Sequence, residues 1–122
     1  MSLILVIDDD EGIRSLLRNL LEREGYEVME AGNGKVGLKL LRENGADLII
    51  TDLIMPEKEG IETIRELRRD FTDVKIIAIS GGGAIGPETY LQMAKSMGAH
   101  RVFGKPFQLK EISDAIRDLL NN

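Results

Sequence analysis

The chain has 122 residues, 43% of them hydrophobic and 30% charged, the size and composition of one globular domain able to bury a core without cross-links. It contains no cysteine, which excludes disulfides and thiolate metal sites and fits a reducing cytoplasm. A formal charge of −5 without a basic cluster argues against nucleic-acid binding, and no run of about 20 apolar residues is present to span a bilayer.

Leu3 to Ile7 is a continuous apolar run ending in Asp8-Asp9-Asp10. It lacks the basic flank and small-residue cleavage site of a signal peptide and reads as a buried strand. Ile13, Leu16, Leu17, Leu20 and Leu21 follow at helical spacing, with Asp10 suited to cap that helix and Gly25 to end it. Tyr26 to Ala31 alternates as a second strand. Asn33 is a candidate N-cap for a helix carrying Val36, Leu38, Leu40 and Leu41, and Gly45 closes it.

Leu48 to Thr51 is a third strand built on the apolar run Leu48-Ile49-Ile50, and Asp52 stands at its exit. Pro56 cannot continue a ladder, so Leu53 to Glu59 reads as a loop. It leads into a helix with Ile61, Ile64 and Leu67 inside and Arg65, Arg68 and Arg69 outside. Val74 to Ile79 is a fourth strand followed by Ser80 and a glycine-rich loop; Pro87 then opens a helix with Tyr90, Ala94 and Met97 on its inner stripe, stopped by Gly98. Arg101 to Gly104 is a short fifth strand, Lys105-Pro106 breaks it, and Leu109, Ile112, Ile116, Leu119 and Leu120 define a last helix. His100, preceding the fifth strand, reads as a surface residue far from the acids.

Strands alternating with helices imply parallel strands joined by right-handed crossovers. Five units are too few for a closed barrel, so the expected fold is a flavodoxin-like, doubly wound (βα)5 domain over residues 1–122, with strand order 2-1-3-4-5 and helices on both faces. In such a sheet the carboxyl ends of all strands share one edge. Asp8, Asp9, Asp52, Ser80 and Lys105 therefore converge, with the aspartates at the crevice between the first and third strands. Three carboxylates repel unless a cation joins them, and oxygen ligands alone favour a hard divalent ion such as Mg²⁺, with Mn²⁺ as a substitute. A metal, an ammonium and a hydroxyl around one phosphoryl group suit phosphoryl transfer, and a carboxylate can itself be the acceptor. Asp52 is the best candidate for that role.

Ile-Leu-Val-Ile-Asp8-Asp9, Thr51-Asp52-Leu-Ile-Met-Pro56 with Gly60, Ser80, and Lys105-Pro106-Phe107 together resemble the receiver domain of two-component response regulators, over nearly the whole chain. The resemblance implies that Asp52 accepts a phosphoryl group from the phosphohistidine of a sensor histidine kinase or a histidine phosphotransferase. It implies that Asp9, Asp52 and the Ile54 carbonyl bind Mg²⁺ directly, that Asp8 acts mainly through water, and that Ser80 and Lys105 contact the phosphoryl group. It further implies a cis peptide before Pro106, self-catalysed uptake and loss of phosphate rather than turnover of a separate substrate, and a downstream effector protein. The expected contact face, formed by the fourth helix, fifth strand and fifth helix, includes Tyr90, Lys95 and Arg101. The expected protein is cytoplasmic, without an output domain, and a monomer or weak phosphorylation-dependent dimer.

The chain departs from the family pattern at Val102, where an aromatic switch residue is usual; Phe103, one position later, faces the other side of its strand. Two other function classes fit parts of the pattern. An unphosphorylated interaction module would not need Asp8, Asp9, Asp52 and Lys105 intact, and a small Mg²⁺-dependent aspartyl phosphatase would need a D-x-D spacing that is missing. Gly81, Gly83 and Gly86 satisfy G-x-G-x-x-G after a strand, but the acid expected about 20 residues later in a dinucleotide site is absent.

Overall fold

Five apolar runs pair side by side as parallel strands in the order β2-β1-β3-β4-β5. These are β1 (Leu3–Ile7), β2 (Glu27–Ala31), β3 (Leu48–Asp52), β4 (Lys75–Gly81) and β5 (Arg101–Lys105). The computed structural model describes residues 2–52, 65–81 and 98–121. Helix α1 (Glu11–Arg23) follows β1, α2 (Gly34–Asn44) follows β2, residues 65–70 are helical, and Leu109–Leu120 form the C-terminal helix. The register pairs Ile7 with both Ala31 and Thr51, Asp52 with Ile79, and Gly81 with Lys105.

Alternate side chains along each strand enter different cores because strand residues point to opposite faces. Ile4, Val6, Leu48, Ile50, Ile77 and Ile79 pack with Leu17 and Leu21 of α1 and with Ile112 and Ile116 of the C-terminal helix. Leu5, Ile7, Ile49 and Ile76 pack on the other side with Leu38 and Leu41 of α2 and with Leu67. The continuous apolar runs of β1 and β3 are thus consumed on both faces, each buried Leu or Ile contributing about 1.5–3 kcal/mol of transfer free energy.

The helix ends follow the local chemistry of the sequence. An Asp10 carboxylate oxygen accepts from the N–H groups of Gly12 (2.8 Å) and Ile13 (3.3 Å), and Asn33 Oδ1 accepts from Val36 N–H at 2.9 Å, satisfying donors that have no partner inside the helix. Gly25 (φ 91°) and Gly45 (φ 71°) take the left-handed conformation that ends α1 and α2.

Several expectations are corrected. Leu16 and Val36 are 45% and 43% exposed, so the inner stripes of α1 and α2 are narrower than their apolar periodicity suggests. In α2 the buried positions are Gly34, Gly37, Leu38 and Leu41. Gly37 lets the helix approach the sheet: a Cβ there would sit 2.4 Å from Ile7 Cδ1 and 2.9 Å from its Cγ1. β4 extends through Ser80 and Gly81 and β5 includes Lys105, because pairing with Gly104 and Lys105 continues past the apolar residues. Hydrogen-bond register, not hydrophobicity, ends these strands.

His100 is half-buried rather than a surface residue. Its Nδ1 accepts from Ile76 N–H at 3.1 Å, and the main-chain N–H of His100 donates to Ile76 O at 2.8 Å, tying the start of β5 to β4. Burial and the positive charges of Lys75, Arg68 and Arg101 lower its pKa. Arg68 is also half-buried, donating to Val74 O at 3.3 Å, whereas Arg65 and Arg69 are exposed. The expected loop from Leu53 to Glu59, the start of the third helix with Ile61 and Ile64, and the helix carrying Tyr90, Ala94 and Met97 lie outside the described residues. So do the rest of the glycine-rich segment after Gly81, and Pro87. Among the described residues no helix is long and apolar enough to cross a membrane.

Gly37→Ala is expected to cost about 1–3 kcal/mol, the usual range for overfilling a packed interior, because Ile7 is 1% exposed and has no space to yield. The measurement is the urea midpoint; an unchanged midpoint would show that α2 can back away from β1 freely.

Candidate acidic site at the carboxyl edge of the sheet

Because β1 and β3 are neighbours and Ile7 is paired with Thr51, the next residue of each strand, Asp8 and Asp52, is delivered to the same place. Both are buried, at 2% and 3% exposure, while Asp9 beside them is exposed. Asp8, Asp9 and Asp52 each offer a carboxylate oxygen within 4.8 Å of the others. This is the only such acidic, His or Cys grouping among the described residues.

The last residue of β5 closes the site. Lys105 Nζ donates to Asp52 Oδ2 at 2.9 Å and to Asp8 Oδ2 at 3.1 Å. Burial alone would lower the pKa of this ammonium, but its hydrogen bonds to Asp52 and Asp8 outweigh that and raise it, so Lys105 is charged at neutral pH. The Asp8 carboxyl is raised, first by burial and further by repulsion from Asp52, against the pull of the Asp10 N–H and Lys105.

Asp8 is held at every polar atom. Its N–H donates to Ala31 O at 3.1 Å, Oδ1 accepts from Asp10 N–H at 2.8 Å, Oδ2 accepts from Lys105, and its carbonyl oxygen accepts from Arg14 Nη1 at 2.7 Å. Arg14 Nε lies 3.4 Å from Glu30 Oε1, and Glu30 Oε2 accepts from Arg18 Nη1 at 2.6 Å. Arg14 and Glu30 were not legible as part of this site. The sole hint is an arginine between the inner positions Ile13 and Leu17 of an amphipathic helix.

The other expected site residues stand as follows. Ser80 pairs with Gly104 through its backbone, and its side chain lies outside the described residues, as does Ile54. Val102 is half-buried in β5 opposite Ala78, and Phe103 packs against the core shared by α1 and the C-terminal helix. The Lys105–Pro106 peptide bond is cis. Arg101 is exposed and its Nη2 donates to Asp118 of the C-terminal helix at 2.7 Å; Tyr90 and Lys95 lie outside the described residues.

A raised carboxyl pKa means that protonation favours the folded chain: the contribution is complete below the ordinary value of 3.8 and is lost as pH rises through the folded-state value. Carboxyl-detected NMR of the metal-free protein is expected to place the Asp8 titration above 3.8. Asp52→Asn, which removes a repelling charge, should lower it, and Lys105→Met, which removes a stabilising one, should raise it. Shifts of the opposite sign would contradict this account of the site.

Residues 4–117 match the family described as response regulator receiver domain. The chain is 33% identical over 117 residues to sporulation initiation phosphotransferase F of Bacillus subtilis, covering 96% of this chain and 92% of that one. It is 36% identical to the chemotaxis protein CheY of Halobacterium salinarum, covering 96% and 95%. The crystal structure of a response regulator receiver domain protein from Clostridium thermocellum superposes with a TM-score of 0.87 at 32% identity, over 99% of this chain and 95% of that one. A profile match across most of the sequence and a shared five-stranded parallel architecture lead to one conclusion: the chain belongs to the receiver domains of two-component response regulators.

Proposed function

We propose that residues 1–122 act as one phosphoacceptor unit in which Asp52 takes a phosphoryl group from a phosphohistidine carried by a sensor histidine kinase or histidine phosphotransferase. The observation that carries the reading is the placement of a buried Asp52 carboxylate 2.9 Å from the Lys105 ammonium, beside Asp8 and Asp9. In the transfer an Asp52 oxygen forms a bond to phosphorus as the P–N bond breaks, and the imidazole leaves with the bonding pair and takes up a proton. Lys105 already points its charge at the acceptor and can follow the developing negative charge on the phosphoryl oxygens. Ser80, on the strand between those of Asp52 and Lys105, is assigned a phosphoryl contact. Hydrolysis of the acyl phosphate by water at the same site would return the carboxylate and inorganic phosphate.

The oxygen-only donor set of Asp8, Asp9 and Asp52 fits Mg²⁺ or Mn²⁺: two carboxylates are anchored in the sheet edge and one is exposed, leaving room for the waters that Mg²⁺ retains. When bound, the ion would supply positive charge to the acidic edge and to the incoming phosphoryl oxygens, with Ile54 assigned as a further ligand through its carbonyl. The relative named a phosphotransferase supports onward passage of the phosphoryl group, and the one named for chemotaxis supports signalling to an effector protein. β5 provides a path outward, since Lys105 lies at one end and Arg101, paired with Asp118 of the C-terminal helix, lies at the other. A cytoplasmic location and a monomer or weak phosphorylation-dependent dimer belong to the same proposal.

Incubation with Mg²⁺ and acetyl phosphate, followed by intact mass measurement, is expected to add one phosphoryl group to the wild-type chain and none to Asp52→Asn. Omitting the metal should abolish uptake. Equal uptake by Asp52→Asn would assign the acceptor elsewhere, and no uptake by the wild type would remove the phosphoacceptor reading.

A further inference from the structure

We infer that Arg14, backed by Glu30, is a positioning residue for the divalent-cation site: its guanidinium fixes the Asp8 main chain so that the Asp8 and Asp9 carboxylates face Asp52. The inference rests on the function proposed above and adds to it a residue pair on α1 and β2.

Three observations carry it. The 2.7 Å bond from Arg14 Nη1 ends on the carbonyl oxygen of Asp8, the atom that opens the Asp8–Asp9 peptide, so it sets the direction in which Asp9 leaves the sheet. The same guanidinium lies across the end of β2: a Cβ on Gly32 would be 3.4 Å from Nη1, and Nε faces Glu30 at 3.4 Å. Arg14 and Glu30 retain only 19% and 25% side-chain exposure, so the pair is partly desolvated rather than a loose surface contact. Charge around the guanidinium is balanced locally. Arg14 and Arg18 face Glu30, and Arg18 also lies 3.4 Å from Glu22, giving two cations and two anions in a chain. Arg14 can therefore stand next to an acidic site without acting mainly as its counter-charge.

Groups that orient metal ligands change metal affinity when removed, typically by tenfold or more. Here the direction of the change separates two roles. If Arg14 acted only through its charge, Arg14→Met would leave the acidic edge more negative and tighten cation binding. If it positions Asp8 and Asp9, the same substitution weakens binding.

The experiment is calorimetric titration of Mg²⁺ into the full chain, for wild type, Arg14→Met, Arg14→Lys and Ser113→Ala, with the urea midpoint of each. Ser113→Ala is the stability control: its hydroxyl donates to the Glu24 carboxylate at 2.6 Å, linking the C-terminal helix to the end of α1 away from the acids. Arg14→Met should bind Mg²⁺ about tenfold more weakly. Arg14→Lys, which keeps the charge but loses the planar fork, should fall between it and wild type. Ser113→Ala should lose stability and keep wild-type affinity. Binding by Arg14→Met as tight as wild type, or tighter, overturns the inference while leaving the proposed function standing; absence of Mg²⁺ binding by wild type overturns both. If Arg14→Met does not fold, parity between Arg14→Lys and wild type overturns the inference.

Discussion

Two carboxylates that are 2% and 3% exposed stand at the ends of adjacent strands, and the arrangement requires a cation between them. Lys105 is that cation in the structure, reaching both Asp8 and Asp52. Removing one partner of a buried charge group leaves the others desolvated and uncompensated, which is costly. The strand order, the register and the length of β5 all bear on this contact: Lys105 reaches the acids because β5 extends one residue beyond its apolar part and pairs with Gly81.

That dependence explains how stability and chemistry are divided in the fold. The two apolar layers beneath the edge are filled by branched aliphatic residues from β1, β3 and β4, and they hold the strand ends in fixed positions. Polar groups are concentrated where the strands stop. Asp8 is the hub, bonded through β2, α1, its own turn and β5, so the edge is held from several elements. A site built on strand ends is more rigid than one built on loops, which suits chemistry that depends on placing charge.

Much of this was legible in the residues. Leu3–Ile7 is the observed β1, Asp10 and Asn33 cap the helices expected of them, the parallel sheet follows from alternation of strands and helices, and its order is that of the flavodoxin-like arrangement expected. The acids and Lys105 could be brought together from sequence because parallel strands share an edge. What was not legible depends on contacts between distant residues. Apolar spacing does not reveal that Gly37 lets α2 approach Ile7 closely or that Val36 is exposed. It does not reveal that β4 and β5 keep pairing through Ser80 and Lys105, or that Arg14 reaches back to the Asp8 carbonyl. His100 looked like a surface residue because nothing local shows that Ile76 N–H requires an acceptor there.

The position of that histidine bears on where phosphoryl groups can come from. His100 is the chain's single imidazole, and it is bonded at the amino-terminal end of β5, five residues or about 16 Å along the strand from Lys105. Its Nδ1 is already occupied by a main-chain donor, and the sheet itself separates it from the acidic edge. The domain therefore has no phosphohistidine of its own to offer Asp52. Under the proposed function a histidine-borne phosphoryl group therefore arrives from outside residues 1–122, which makes access to the exposed Asp9 side of the edge a matter of docking rather than of rearrangement within the domain.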